Sequence, residues 1–465
     1  MRWWKQSDRR RDAARRLGSA ADAVGLIERR SSRALVKRLV VVLIACVTIS
    51  SKVAAAQPPV LLVTASELAE GTPLANTPHL DDLRRTGLVF GVAYAMSPVG
   101  SPSQAGLLSG RHPMSLGIPD EIEYMEVTHL RMGTPTLASM LASRGYWTSV
   151  FGAWRVTGMF DSFPRQPDPE HLGFDHWLCT LGDPQPSTRD TDNLVLNGDP
   201  LDPIEGPLES YLAGEAAAWI ASRKPDEPWF CAVHLEGTAS AAMPERVAEI
   251  LAAHEGLERD MAAQMARLEQ FDEALGVLLD AAGPDALVVM TALHGPHDMS
   301  GGRRVSRGAV SERGLRVPCV IRHSTIEPGT RTTPVWGIDV MPTIASITGS
   351  PRPEGIEGES MLDASPDRVM LWHFHRATDE ARIAARRGQW VIMGMIRGGP
   401  SGPYDEALES HLRRAPITRT MLYDLDADPM QTTDCGADHP DLKIELTRLL
   451  RDRFDTWRAT FPSWD

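Results

Sequence analysis

PVLLVTASELAEGTPLANTPHLDDLRRTG, residues 59–87, decides the fold class. Val60, Leu61, Leu62, Val63 and Thr64 form a short aliphatic and β-branched run, which reads as a buried strand. Thr77-Pro78 then opens a helix, with threonine as N-cap and proline at the first helical position. Thr134-Pro135 repeats that signal before TLASMLASR, and Gly145 closes the segment. Further strands are expected at 147–151, 229–234, 285–291 and 317–322, with a long helical stretch over 243–281 and another helix over 339–347. Strand–helix alternation of this kind predicts an α/β fold, a mainly parallel sheet with helices on both faces. Past residue 350 the pattern changes. Pro and Gly cluster at 349–358, short strands follow at 369–374 and 389–394, and an amphipathic helix covers 440–457. The expected organisation is therefore a 1–56 leader, a 57–350 α/β domain and a smaller 351–465 α+β subdomain.

A chain of 465 residues suits one large domain with a smaller one. With 42% hydrophobic and 23% charged residues, wholesale disorder is excluded. The formal charge of −13 combines two unlike segments. Residues 1–56 carry 13 Lys/Arg against 4 Asp/Glu, which leaves 35 against 57, or −22, for the remainder. So acidic a body argues against nucleic acid as a partner, because phosphate neutralisation needs clustered Lys/Arg. Only Lys224 and Lys443 remain after residue 56.

The basic N-terminus, the apolar run LVVVLIACVTI at 39–49 and Ala54-Ala55-Ala56 follow the order of a secretory signal peptide. The run is too short to span a bilayer, which takes about 20 apolar residues. Export to the periplasm or the extracellular space is expected, with no transmembrane helix afterwards. Leu43-Ile44-Ala45-Cys46 also fits a bacterial lipobox, which would anchor the chain through Cys46. Cys179, Cys231, Cys319 and Cys435 lie in the body without any C-x-x-C pattern. Without that pattern no structural zinc site is expected, and both disulfides and buried thiols stay open.

Several segments together resemble the sulfatase family of the alkaline-phosphatase superfamily. They include PVLLVTASEL at 59–68, TPHLDDLRRTGLVFGVAYAMSPVGSPSQAGLLSGRHP at 77–113 and TLASMLASRGYWTSVFGAWR at 136–155. GFDHW at 173–177, PWFCAVHLE at 228–236, VVMTALHG at 288–295 and SERGLRVPCVIR at 311–322 continue the series. DVMPTIASITG at 339–349 and LYDLDADPMQ at 422–431 complete it, in family order and at family spacing.

The resemblance implies a particular chemistry. Such sulfatases attack sulfur with an aldehyde hydrate, made by oxidising a Cys or Ser at the first position of C/S-x-P-x-R. That position precedes a helix whose N–H groups face the sulfate. A divalent cation, usually calcium, is held by Asp pairs on two strands. Two lysines and two histidines neutralise charge and move protons. Here the motif reads Gly100-Ser101-Pro102-Ser103-Gln104, so glycine stands at the nucleophile position and Gln104 at the motif arginine. Glycine has no β-carbon, so no aldehyde can form there. Ser101 and Ser103 read as structural, Ser101 as a helix N-cap.

The first-strand Asp pair corresponds to Ser66 and Glu67, and the later pair to Leu293 and His294. His297 and Asp298 lie just beyond. Ala153 stands for the first lysine, Arg155 for its neighbouring histidine and Arg307 for the second lysine. No substitute is visible for the histidine expected after Glu236. The resemblance thus implies a degraded calcium site, no cofactor and no catalytic residue.

What remains is a degenerate pocket formed by Ser66, Glu67, Gly100, Gln104, Arg155, His294 and Arg307. Arg155 and Arg307 suit bidentate reading of sulfate or phosphate oxygens. With His294 they would hold a sulfated or otherwise anionic small molecule or sugar without cleaving it. The opposing expectation is that these arginines pair with acidic neighbours. Three functions stay open: a non-catalytic binding protein, a sulfate or phosphate ester hydrolase with altered chemistry, and a structural protein whose pocket is filled. Oligomeric state is not legible.

Overall fold

β1 (Val60–Glu67) runs through the middle of a ten-stranded sheet, and each of its residues is buried. The computed structural model describes residues 57–68, 75–123, 126–158, 166–185, 189–295, 308–377, 382–400 and 402–464. The expected leader, its Ala56 cleavage point and Cys46 lie outside these residues.

Across the sheet the order is β11 (Gly329–Arg331), β2 (Leu88–Phe90), β10 (Cys319–Arg322), β9 (Leu287–His294), β1, β8 (Trp229–Gly237), β4 (Trp147–Trp154), β5 (His176–Leu181), β6 (Leu194–Leu196) and β7 (Asp199–Pro200). The five strands from β9 to β5 are mutually parallel. β10 joins β9 antiparallel, and β6 joins β5 antiparallel. The mainly parallel α/β sheet expected from the sequence is therefore present, with antiparallel strands added towards its edges. Parallel strands need crossover segments, and those helices bury the sheet, so its central strands read as continuous apolar runs.

The helices covering it are α1 (Pro78–Thr86), α2 (Gly100–Ser109), α3 (Leu137–Ala142), α4 (Leu208–Ala221), α5 (Pro244–Ala253), α6 (Arg259–Ala282) and α7 (Val340–Thr348). α1, α4 and α5 pack on α6, while α2 packs against α3 and α7. All ten residues of α2 are buried. β3 (Ala93–Tyr94) and β12 (Val335–Trp336) form a separate parallel pair. Towards the C-terminus β13 (Val369–His373), β14 (Ile383–Arg387), β15 (Trp390–Ile396) and β16 (Ile417–Asp424) make an antiparallel sheet. α8 (Glu406–Arg414) packs on α9 (Pro440–Thr460), which lies against β14, β15 and β16. Residues 57–465 form one compact unit.

Three local expectations are corrected. Thr136, not Thr134, caps α3: its side chain accepts from Ser139 N, and Ser139 returns the bond as a capping box. The helical stretch over 243–281 is two helices, separated at 254–258, where Gly256 has φ +81°. The central strands also run further than their apolar cores. β1 continues to Glu67, β4 to Trp154, β8 to Gly237 and β9 to His294. The hydrogen-bond ladder carries on where the side chains turn polar, pairing Glu67 with Gly237 on one side and His294 on the other.

Cys179, Cys231, Cys319 and Cys435 are free thiols, and burial pushes Cys231 up to about 12. No helix among the described residues is long and apolar enough to cross a membrane.

Asp339, just before α7, ties the main domain to the C-terminal sheet. It is fully buried, accepts from Arg368 Nη1 at 2.9 Å and pairs with Arg368 Nη2 as well. The amides of Trp336 and Glu359 also donate to it, each at 3.0 Å. Removing one partner of a buried pair strands the other charge. Asp339→Ala is expected to cost about 3–5 kcal/mol, read from urea unfolding; a loss below about 1 kcal/mol would contradict this role.

Candidate functional site

The polar residues that end β1, β8 and β9 fall together because the three strands are parallel and in register. Thr64 lies beside His234, and Glu67 lies between Gly237 and His294. In open α/β sheets the carboxyl ends of the strands are where ligands bind. β4 delivers Arg155 to the same end, one residue beyond Trp154.

Gln104 sets the position of Arg155. Its Oε1 accepts from Arg155 N at 2.7 Å, and its Nε2 donates to Ala153 O at 2.9 Å. The side chain is fully buried, and both ends of its amide are spent on the chain flanking Trp154. The Arg155 side chain, 6% exposed, then enters the site. Nη2 donates to Glu236 Oε1 at 2.8 Å and to Ser66 Oγ at 3.1 Å, and Nη1 pairs with Asp183. Ser66 Oγ donates in turn to Glu236 Oε1 at 3.1 Å. His234 Nδ1 lies 2.5 Å from Thr64 Oγ1. Burial, reinforced by the Arg155 charge, lowers its imidazole to about 3, so it stays neutral.

α2 brings a second charged group into the site. A helix N-terminus exposes unpaired N–H groups and a partial positive charge. Val99 is the N-cap and has no polar side chain to satisfy them. Glu121 does so instead. Gly100 N donates to its Oε1 at 2.6 Å, and Ser101 N to its Oε2 at 2.9 Å. Ser101 Oγ donates to Oε2 at 2.7 Å and accepts from Ile122 N at 3.0 Å. An internal carboxylate thus sits where a helix offers itself to an anion. Ser103 is structural: its Oγ donates to Ser97 O and accepts from Ser97 N, both at 3.0 Å.

Of the pocket residues read from the sequence, Ser66, Gly100, Gln104 and Arg155 meet directly or through one shared partner. Glu67 accepts from Thr238 Oγ1 at 3.3 Å, and buried His294 donates from Nδ1 to Gly295 O at 3.0 Å. Arg307, with His297 and Asp298, lies outside the described residues. Arg155 does pair with acidic neighbours, the opposing expectation. Lys224 sits before β8, at the amino end of the strand, and pairs with Glu227 at 3.1 Å; Lys443 pairs with Asp434 at 3.1 Å.

Glu121, Asp183, Glu209, Glu236 and His234 were missed. His234 and Glu236 occupy alternate positions of PWFCAVHLE, so both share the face of β8 that meets Thr64 and Ser66. That periodicity was a usable signal. Glu121 stands in the acidic run Asp120-Glu121-Ile122-Glu123, and nothing local ties it to Gly100. Glu209 Oε1 accepts from Gly237 N at 2.9 Å under the end of β8. Burial, and then the Glu236 charge, raises its carboxyl to about 8.

A family model described as Sulfatase matches residues 64–350. Arylsulfatase A of Bos taurus is 26% identical, the match covering 89% of this chain and 92% of that protein. A solved structure of Ps i-CgsB in complex with k-i-k-neocarrahexaose superposes with a TM-score of 0.71 at 20% identity, covering 87% of this chain and 94% of that one. Another, in complex with its substrate D-glucosamine-2-N,6-O-disulfate, has a TM-score of 0.65 at 16% identity, covering 87% and 98%.

The expectation of no cofactor is overturned by these matches, because the matched family normally uses a calcium ion at its active site. The described residues do not by themselves complete such a site. Calcium takes six to eight oxygens. Glu236 and Asp183 are paired to the Arg155 guanidinium, and no group of three or more His, Cys, Asp or Glu side chains among the described residues is placed to hold a metal.

A β-carbon on Gly100 would lie 2.8 Å from Arg155 Cδ. Gly100→Ala, which ordinarily strengthens a helix, should here cost about 1–3 kcal/mol. Combined with Arg155→Ala it should cost less than the sum, as measured by a urea double-mutant cycle; additivity would separate the two positions. Glu209 supplies a pH dependence. Its folded pKa of about 8 exceeds the ordinary 4.5, so between those values the folded chain holds a proton that the unfolded chain releases. The penalty is absent below the lower value and grows as pH rises towards the upper. Stability should fall by up to about 1.4 kcal/mol per pH unit across that window. Glu209→Gln should flatten the profile, and an unchanged slope in the variant would assign it to another group.

Proposed function

The chain belongs to the sulfatase family, and from that premise we propose that it is an exported, non-hydrolytic member whose former sulfate position is closed by its own Glu121. The observation that carries this reading is the Glu121 carboxylate on the Gly100 and Ser101 amides. An acidic side chain there competes with a sulfate ester for the same donors. Three further points support it. Glycine at position 100 has no side chain from which an aldehyde could be made. The Arg155 guanidinium is bonded to Glu236, Ser66 and Asp183. Neither lysine of residues 57–465 stands at the carboxyl end of the sheet. Export rests on the basic, apolar, Ala-rich order of residues 1–56. A sulfated or otherwise anionic sugar is the ligand class in keeping with the relatives, and it would have to displace Glu121.

One contact favours a second reading, an ester hydrolase with altered chemistry. Ser101 Oγ lies 2.7 Å from Glu121, and a hydroxyl beside a carboxylate base has the form of an activated nucleophile. Against it, Ser101 is 1% exposed, and its oxygen also accepts from Ile122 N.

Purified protein incubated with an aryl sulfate and an aryl phosphate, with and without calcium, manganese or zinc, decides between them. The expected result is no turnover above the uncatalysed rate in any condition. Turnover that disappears in Ser101→Ala establishes the second reading, and turnover that disappears in Glu67→Ala likewise ends the non-hydrolytic one.

A further inference from the structure

Two opposite charges converge on one small volume. The point where a β-carbon on Gly100 would stand is 3.3 Å from Arg155 Nε and 3.4 Å from Glu121 Oε1. Arg155 Nε is buried and has no hydrogen-bond partner among the described residues, although the two other nitrogens of its guanidinium are bonded. Beside it lie three donors that all point at Glu121: Gly100 N, Ser101 N and Ser101 Oγ. The two oxygens of a carboxylate have nearly the spacing of two oxygens in sulfate or phosphate. A donor set that grips both oxygens of Glu121 therefore suits a tetrahedral oxyanion.

We propose that Glu121 is a tethered internal ligand holding shut a small-oxyanion site, and that removing its carboxylate lets sulfate, free or as a monoester, take its place. The donors are the amides of Gly100 and Ser101, the Ser101 hydroxyl and Arg155 Nε. This deepens the reading above and rests on it only in that a bound ester stays intact.

The tether is visible in the segment around Glu121. Asp120 pairs with Arg376, Ile122 N donates to Ser101 Oγ at 3.0 Å, and Glu126 accepts from Tyr404 N at 2.8 Å. A group fixed this way competes at the high effective concentration of an intramolecular ligand. A cleft of about 370 Å³ opens beside it, and Glu121, Asp120, Glu126, Arg376 and Tyr404 are among its walls. Glu121 thus separates the α2 N-terminus from a route to solvent. The cleft also contains Glu123, so among the described residues its walls carry four carboxylates against one arginine. That field disfavours a polyanion and selects a single small oxyanion. Closure therefore has two parts, occupancy of the donors and repulsion along the approach.

The test compares the full chain with Glu121→Ala and Glu121→Gln in calorimetric titrations with inorganic sulfate and, separately, phenyl sulfate. Glu121→Ala should bind sulfate at least about tenfold more tightly than the unsubstituted chain, the gain expected when an internal competitor is removed. Glu121→Gln, isosteric and neutral, should fall between them. Adding Ser101→Ala should take back part of the gain. Sulfate should raise the melting temperature of Glu121→Ala more than that of the unsubstituted chain. Equal affinity in all three proteins overturns the proposal. If Glu121→Ala does not fold, Glu121→Gln decides alone, and a gain supports while no gain overturns. Binding of inorganic sulfate alone identifies the free ion as the occupant, and binding of both identifies the ester as well. Phenyl sulfate bound and cleaved would end the non-hydrolytic reading and leave the latent site standing. Sulfate refused by every variant would end the latent site and leave the non-hydrolytic reading untouched.

Discussion

A guanidinium taken out of water must be surrounded by acceptors, and around Arg155 that requirement organises the end of the sheet. Desolvation of a buried ion costs several kcal/mol, so the surrounding groups have to be numerous and well placed. Glu236, Asp183 and Ser66 supply them from three separate stretches of chain. Gln104 holds the backbone from which the side chain departs. Gly100 leaves the space through which its methylenes pass, since a β-carbon there would touch Cδ. His234, beside the same charge, is kept neutral by burial first and by Arg155 second.

The same end of the sheet holds a second charge balance. The positive end of α2 would be an open anion site if its N-cap were merely Val99. Glu121 fills it with a charge of the right sign and geometry. Arg155 and the α2 terminus are both attractive to an external oxyanion, and both are met by groups of the chain itself. Glu209 shows the cost of crowding acids here, since one carboxyl near Glu236 retains its proton to about 8.

Much of this was legible from the residues. Val60–Thr64 announced the central strand, and the repeated strand–helix spacing announced the parallel sheet. The sequence points to a pocket of Ser66, Glu67, Gly100, Gln104, Arg155, His294 and Arg307; of these, Ser66, Gly100 and Gln104 lie against Arg155. The amide of Gln104 is fully engaged with the backbone around Trp154. Strand ends were placed too early, because apolarity stops at about Thr64 while backbone pairing continues to Glu67. That shortfall hid the polar rim that builds the site. Thr134 and Thr136 both suit the cap position by residue type, and only the Ser139 bond distinguishes them.

By itself, the order of residues determined the fold class, the acidic body and the absence of a side chain at position 100. These follow from local periodicity, charge and covalent structure, which need no knowledge of distant contacts. Which acids meet which bases was decided only in three dimensions. Glu121 is 21 residues from Gly100, and Glu236 is 81 from Arg155. Hydrogen-bond partners at such separations are chosen by how the strands and helices stack, and an acidic residue in a chain carrying many of them gives no local sign of which one is chosen. That Arg155 could be met by acids of the chain itself was readable in the sequence; that those acids are Glu236 and Asp183, and that Glu121 takes the α2 N-terminus, was not.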